Sequence, residues 1–279
     1  MLRLVRAGVL AGASRIDVQT SLDHTRVWFD APLKGELEHL LDHLVGSGPF
    51  HELAVAAAAA LATRPFGLTV EVAGRRLTSA GLEEVPGGSE GTIFDLRRKR
   101  GGHWIRELFT GFSPEAEILA RRCAFCPVPL RVNKRLLNRP QEFGSPRIGF
   151  LMPPDHLLVE ARYAQPGPNL VALPLPSQAS RCWGEQNRLV GCALGLCHGR
   201  PSFFREKQGN SFLFVHGGVA LYREELPMET GPVLGILSTE GLQLDLGGER
   251  VVKDSCYETR VQWLAAHAAW LRRLAQGRR

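Results

Sequence analysis

Residues 46–54 read Gly46-Ser47-Gly48-Pro49-Phe50-His51-Glu52-Leu53-Ala54, and a run of small apolar residues follows from Val55 to Ala62. This pattern predicts a glycine-bearing loop that leads into a small-residue helix. Glycine lets the backbone adopt positive φ and approach a bound group, and the exposed N–H groups of a helix start attract anions. The stretch is therefore a candidate ligand loop, although the same pattern is typical of a turn before a tightly packed helix.

The composition indicates a globular chain with a large core. Its 279 residues are 44% hydrophobic, and this length suits two ordinary domains. No apolar run reaches the ~18 residues of a membrane helix, and arginines interrupt the apolar residues at the N-terminus, unlike those of a signal peptide. We expect a cytoplasmic protein without membrane association, whose six cysteines are reduced thiols.

Helices and strands alternate on both sides of the glycine loop. Before the loop, hydrophobic periodicity predicts a helix over residues 2–11, strands over 15–20 and 26–29, and a helix over 34–45. After the loop it predicts strands over 68–72, 76–78, 91–96 and 128–132. Ser113-Pro114-Glu115 has the residues of a helix start, and Ile118, Leu119 and Cys123 are expected on the inner side of that helix.

The second half of the chain differs in character. Residues 138–146 are polar and contain two prolines, so we predict a linker there between a first domain, residues 1–137, and a second, residues 147–279. Short strands are predicted over 147–152, 157–162, 170–174, 189–196, 212–216 and 233–237. A C-terminal helix over 255–274 carries an apolar stripe of Tyr257, Val261, Leu264, Ala268 and Leu271.

The order of these pieces resembles the GHKL ATPase superfamily, which includes gyrase, the ninety-kilodalton heat-shock chaperones, MutL proteins and histidine kinases. The resemblance is carried by Gly12-Ala13-Ser14, Asp30 at a strand end, the Gly46/Gly48 loop, Gly91-Thr92 and the 127–133 strand. It covers about the first 130 residues and is strongest to bacterial heat-shock-chaperone-like members. It implies a Bergerat fold, a two-layer α/β sandwich that holds ATP between helices on one face of a mixed sheet, followed here by a smaller strand-rich α+β domain and a C-terminal helix.

Two catalytic positions of that family are lost in this chain. The family's first helix supplies a glutamate that activates water and an asparagine that holds magnesium, and the resemblance places these at Arg3 and Ala7. Arginine accepts no proton, and alanine offers no oxygen to a hard cation. No catalytic residue and no metal ligand are therefore assigned. An alternative is that the first helix is misaligned and the glutamate comes from elsewhere.

The binding positions are better kept. The resemblance assigns adenine recognition to Asp30 and Thr92 and phosphate contact to Gly46 and Gly48, although Pro49 and Phe50 fill the loop. It leaves open whether ATP, ADP or no nucleotide is bound, and it makes magnesium doubtful.

Three functions follow from these residues. The first is a degenerate nucleotide-binding module, or pseudo-ATPase, that acts as a protein-interaction or regulatory scaffold, with a protein partner or a second copy of the chain. The second is an active ATP-dependent chaperone-like enzyme. The third is a nucleic-acid-binding module, since basic residues outnumber acidic ones between positions 96 and 139. Its candidate phosphate contacts are Arg97, Arg98, Lys99 and Arg100.

The cysteines offer a weaker motif. Cys123 and Cys126 have C-x-x-C spacing, and Cys192 with Cys197-His198 could complete a zinc site. These residues are more typical of core thiols, so no zinc is expected.

Overall fold

The computed structural model describes residues 1–21, 23–88, 90–98, 113–123, 126, 128–137, 146–152, 170–172, 192–197, 210–226, 233–239 and 241–277. The chain divides into two compact units, Met1–Arg139 with Gly217–Val219 and Pro140–His216 with Ala220–Arg279. It is a mixed α/β protein of the α+β type, with an eight-stranded mixed sheet and helices in its first unit.

Eight strands form the sheet of the first unit: β1 Ile16–Thr20, β2 His24–Phe29, β3 Gly67–Val72, β4 Arg75–Thr78, β5 Gly81–Glu84, β6 Thr92–Arg97, β7 Leu130–Val132 and β8 Arg135–Leu136. Their spatial order is β5-β4-β3-β6-β2-β1-β7-β8. The β1–β7 pair is parallel, with Ile16 opposite Leu130, and the other pairs are antiparallel. Hence β2 and β6, which are distant in sequence, lie side by side at the centre.

Helices cover one face of this sheet. They are α1 Leu2–Leu10, a 3-10 helix Leu37–Leu44, α2 Pro49–Ala62 and α3 Pro114–Arg122. Helix α1 packs closely on β1 and β2, because a Cβ added at Gly8 would lie 3.0 Å from Ile16 Cδ1 and 3.2 Å from Phe29 Cδ1. Strand alternation then turns Asp17, Gln19 and Trp28 to the opposite face.

Local sequence signals account for the helix ends. The Ser113 hydroxyl accepts a hydrogen bond from the Ala116 N–H at 3.1 Å, and Pro114 occupies the first turn of α3, so the predicted start of this helix is confirmed. Gly48, with φ of 98°, precedes Pro49 at the start of α2. Positive φ is strained for any residue with a Cβ, so glycine suits this position.

Two predictions in the first unit were wrong in part. The helix predicted over residues 34–45 is a 3-10 helix interrupted by non-helical backbone at His39 and His43. Leu119 of α3 and Cys123, which follows the helix, are fully buried as expected, but Ile118 of α3 is 47% exposed. Ile118 lies one residue before Leu119, a rotation of about 100° around the helix axis, so both cannot face the same neighbour.

The second unit contains a six-stranded sheet and a long helix. Its strands are β9 Pro146–Met152, β10 Leu170–Ala172, β11 Cys192–Cys197, β12 Ser211–His216, β13 Val219–Glu225 and β14 Val233–Ser238, in the order β10-β9-β11-β14-β12-β13. The sequence patterns did not predict β13. The strand predicted over 157–162 lies outside the described residues.

The C-terminal helix of the second unit is α4, Ser255–Gly277. Tyr257, Leu264 and Ala268 of the predicted stripe are buried, and so is the fully enclosed Arg260, whose Nη1 donates to the Ser238 carbonyl oxygen at 2.6 Å. Across the described residues, no single helix is long and apolar enough to cross a bilayer. The 3-10 helix and α2 have the required length and apolarity only when they are counted together, and a bend of 86° separates them.

Candidate functional site

Asp30 lies where β2 ends and is held by the turn that follows α1. The N–H groups of Ser14 and Arg15 donate to its Oδ1 at 2.8 and 3.3 Å, and the Ser14 hydroxyl donates to Oδ2. Partial desolvation raises the pKa of Asp30, but these hydrogen bonds together outweigh it, so the pKa lies below its ordinary value. The side chain is therefore a carboxylate at neutral pH and accepts hydrogen bonds only.

Thr92 begins β6 and lies opposite Phe29, the last residue of β2. It is fully buried, and its hydroxyl donates to the Ala31 carbonyl oxygen at 3.0 Å. Gly91 is equally constrained, because a Cβ there would lie 2.3 Å from the Phe29 carbonyl oxygen. The β2–β6 pairing thus brings Asp30 and Thr92 to the same end of the sheet.

The glycine loop folds back on the 3-10 helix. Gly46 and Gly48 have φ of 138° and 98°, and no described atom lies within 4 Å of a Cβ added at either position. The Phe50 ring is buried against Gly35, where an added Cβ would come within 2.8 Å of it. His51 contributes a hydrogen bond from Nδ1 to the His43 carbonyl oxygen at 2.9 Å.

Asp30 and Thr92 meet through the backbone that runs from Phe29 to Ala31. No described hydrogen bond links Gly46 or Gly48 to either of them, although Phe50 of α2 packs on Gly35 in the segment that follows Asp30.

Sequence reasoning missed the ionic cluster between α1 and α2. The Arg3 Nη1 lies 2.9 Å from Glu52 Oε1 and 3.0 Å from Oε2, and Arg6 Nη1 lies 3.9 Å from Glu52 Oε1. Glu52 and Arg6 are buried, with 4% and 0% of their surface exposed. The available signal was a single carboxylate in the first turn of an otherwise apolar helix, facing a helix with two arginines.

Two of the four predicted phosphate contacts, Arg97 and Arg98, differ in their exposure to solvent. Arg97 is exposed at the end of β6. Arg98 is half-buried; its Nη2 donates to the Thr25 hydroxyl at 2.9 Å, and its Nη1 donates to Glu115. Arg98 therefore ties β2 to α3. Lys99 and Arg100 lie outside the described residues.

Cys123 and Cys126 are buried free thiols. Burial raises the pKa of Cys126 to about 12, and burial together with the neighbouring Cys126 raises the pKa of Cys123. No group of three or more potential metal-ligating side chains occurs in the described part of the chain. Cys192 and Cys197 begin and end β11, and His198 lies outside the described residues.

No protein-family model matches this chain, and no curated protein shows significant sequence similarity to it.

Proposed function

We propose that the first unit is a degenerate Bergerat-type module of the GHKL class that binds ATP or ADP without efficient hydrolysis and acts as a regulatory or protein-interaction scaffold. The observation that carries this proposal is the Arg3–Glu52 ion pair. It occupies the place between α1 and α2 where the resemblance would put a water-activating glutamate.

Adenine recognition is supported by the junction of β2 and β6. An exocyclic amino group needs an acceptor, and the ionised carboxylate of Asp30 is one. Thr92 supplies a hydroxyl at the same strand end, and its bond to the Ala31 carbonyl oxygen holds the backbone that carries Asp30. Asp30 is therefore a preorganised acceptor that Thr92 supports from the interior, and preorganised polar groups are what a small-molecule site requires.

Loss of hydrolysis follows from the chemistry of α1. The Arg3 guanidinium cannot accept a proton from water, and losing a general base typically lowers a rate by about 10²–10⁴. The Ala7 methyl group is fully buried and offers no ligand to magnesium. Glu52 is the carboxylate at this place, but both of its oxygens already accept hydrogen bonds from the Arg3 guanidinium.

Calorimetric titration of ATP and ADP, each with and without magnesium, tests the proposal. We expect both nucleotides to bind with affinities that do not depend on magnesium, and Asp30→Ala to abolish binding. Asp42→Ala is the matched control, because Asp42 is an exposed carboxylate on the 3-10 helix. Magnesium-dependent binding with turnover would favour the active ATPase instead, and no binding by either nucleotide would overturn nucleotide recognition.

A reconstruction separates loss of catalysis from loss of the pocket. Arg3→Glu alone would place two carboxylates together, so Arg3→Glu and Ala7→Asn should be combined with Glu52→Gln. We expect this triple variant to acquire magnesium-dependent ATP hydrolysis, whereas Ala7→Asn alone should not. A folded triple variant that binds nucleotide but gains no hydrolysis would contradict the assignment of Arg3 and Ala7 to the catalytic positions.

A further inference from the structure

The face of the first sheet that points away from α1 carries a cleft of about 380 Å³. Its lining includes Arg15, Asp17, Gln19, Arg26, Trp28 and Lys134. The buried neighbours Ile16 and Phe29 contact α1 on the other side of the sheet, so this cleft lies on the face away from α1. Its volume lies within the range of ~300–1,000 Å³ that is usual for small-ligand sites.

Positive charge dominates the cleft. Arg15, Arg26 and Lys134 are exposed, and Asp17 is the carboxylate among the lining residues. Asp17 lies 3.8 Å from Arg15 Nε and opposite another exposed arginine, Arg131, on β7, while Arg26 lies opposite Asp95 on β6. The cations therefore exceed the acidic charge, and the cleft has the electrostatic character of an anion-binding surface.

These cations are spread along the sheet rather than gathered at one point. Arg15 precedes β1, whereas Lys134 lies in the turn after β7, beside the far end of β1. At ~3.3 Å per residue, the length of β1 separates them by about 13–17 Å. Arg26 lies opposite Gln19 on the neighbouring strand β2. One phosphate group cannot contact cations this far apart, but successive phosphates of a polymer can.

A planar surface lies beside the cations. The Arg15 guanidinium carbon lies 4.5 Å from the centroid of the Trp28 ring, a cation–π arrangement. Bases of single-stranded nucleic acid stack on aromatic rings and on arginine planes. The carboxylate of Asp17 and the amide of Gln19 provide acceptors and donors for the edge of a base.

We propose that this cleft binds single-stranded nucleic acid, with a base stacked at Trp28 and Arg15 and the backbone phosphates along Arg26 and Lys134. An acidic peptide would use the cations but would leave the aromatic plane unused. The inference does not depend on the nucleotide function proposed above, since none of the residues that line the cleft is one to which nucleotide recognition is assigned.

The test is fluorescence anisotropy of the full chain with a labelled 15-nucleotide oligo(dT) at 50 and 200 mM salt. Arg26→Ala/Lys134→Ala should weaken binding and reduce the slope of log K against log salt by roughly 1.4, because each single-strand phosphate contact contributes about 0.7. Trp28→Leu should weaken binding roughly 5- to 150-fold, the effect of losing one stacked base. Lys34→Ala/Arg121→Ala, which removes two exposed charges elsewhere, is the matched control and should change neither quantity.

Several results would overturn the inference. They are no oligo(dT) binding at 50 mM salt, equal losses in the cleft variant and the control variant, or displacement of oligo(dT) by thymidine monophosphate or poly-glutamate at equal charge concentration. Because Arg26 and Lys134 are exposed, their double variant should fold, and its thermal unfolding midpoint should match that of the control. This keeps the test valid even if Trp28→Leu fails to fold.

Discussion

Arg3 Nη1 lies 2.9 Å from one carboxylate oxygen of Glu52 and 3.0 Å from the other, so α1 and α2 are joined by a largely buried ion pair. Arg6, fully buried, approaches the same carboxylate at 3.9 Å. The Glu52 carboxylate thus interacts with two guanidinium groups. The loss of Glu52 and the loss of Arg3 are therefore not equivalent.

Glu52→Ala should lower the free energy of unfolding by ~3–5 kcal/mol, because it removes the buried carboxylate that Arg3 and Arg6 share. Arg3→Ala should cost less, about 1–3 kcal/mol, since Arg6 remains beside the carboxylate. Urea denaturation of the two variants measures the difference. Glu84→Ala, at an exposed position of β5, should change the free energy by less than about 0.5 kcal/mol. Equal losses for Glu52→Ala and Arg3→Ala would contradict a shared anion.

Asp30 should contribute a pH-dependent part of the stability. Its pKa in the folded state lies below the ordinary value of 3.8, so its ionised form stabilises the fold above that pH, and the contribution is lost as the pH falls through the folded pKa. The difference in unfolding free energy between the wild type and Asp30→Asn should therefore be largest near pH 7 and shrink below about pH 4. Urea denaturation at pH 7, 5 and 3 measures this trend. Asp42→Asn, at an exposed position, is the control and should change the unfolding free energy by less than about 0.5 kcal/mol at each pH. If the stability advantage of the wild type over Asp30→Asn grew toward low pH, the lowered pKa of Asp30 would be refuted.

Gly91→Ala should distort the junction that carries Asp30. The added Cβ would lie 2.3 Å from the Phe29 carbonyl oxygen and 3.1 Å from the Asp30 Cα, and both contacts are backbone atoms that move only with β2. We expect a loss of about 1–3 kcal/mol, measured by chemical denaturation. Gly67→Ala is the matched control, since a Cβ there meets only Arg97 Cβ at 4.0 Å. If Gly91→Ala left the unfolding free energy unchanged, the backbone of Phe29 and Asp30 could move to accept the added Cβ, and the predicted strain would be refuted.

Cys126 should resist alkylation in the native protein. With a pKa of about 12, its thiolate fraction at pH 8 is about 10⁻⁴, and the thiolate is the reactive form. Cys123, whose pKa is also raised by burial, should behave alike. Mass spectrometry after brief N-ethylmaleimide treatment should find both modified only in denaturant, with the half-buried Cys256 modified earlier. Rapid native labelling of Cys126 would contradict its burial.

Much of the local structure could be predicted because its causes are local. Apolar periodicity over residues 2–11 agrees with α1, and Ser113-Pro114 marks the start of α3 through a hydrogen bond that spans three residues. Alternation at 15–20 and 26–29 agrees with β1 and β2. The 3-10 helix was harder to predict, because the spacing of Leu37, Leu40, Leu41 and Leu44 suits both an α-helix and a 3-10 helix. Tertiary packing decides which of the two helix types forms.

By itself the sequence determined α1, β1, β2 and the start of α3, where glycines permit positive φ, and that Arg3 and Ala7 cannot supply a general base or a metal ligand. Only the tertiary structure decided that Arg3 meets Glu52, that Asp30 lies beside Thr92, and that Arg15, Arg26 and Lys134 share one sheet face. Periodicity reports which way a residue faces within its own element. Which charge meets which depends on how distant elements pack, and no local pattern of residues encodes that choice.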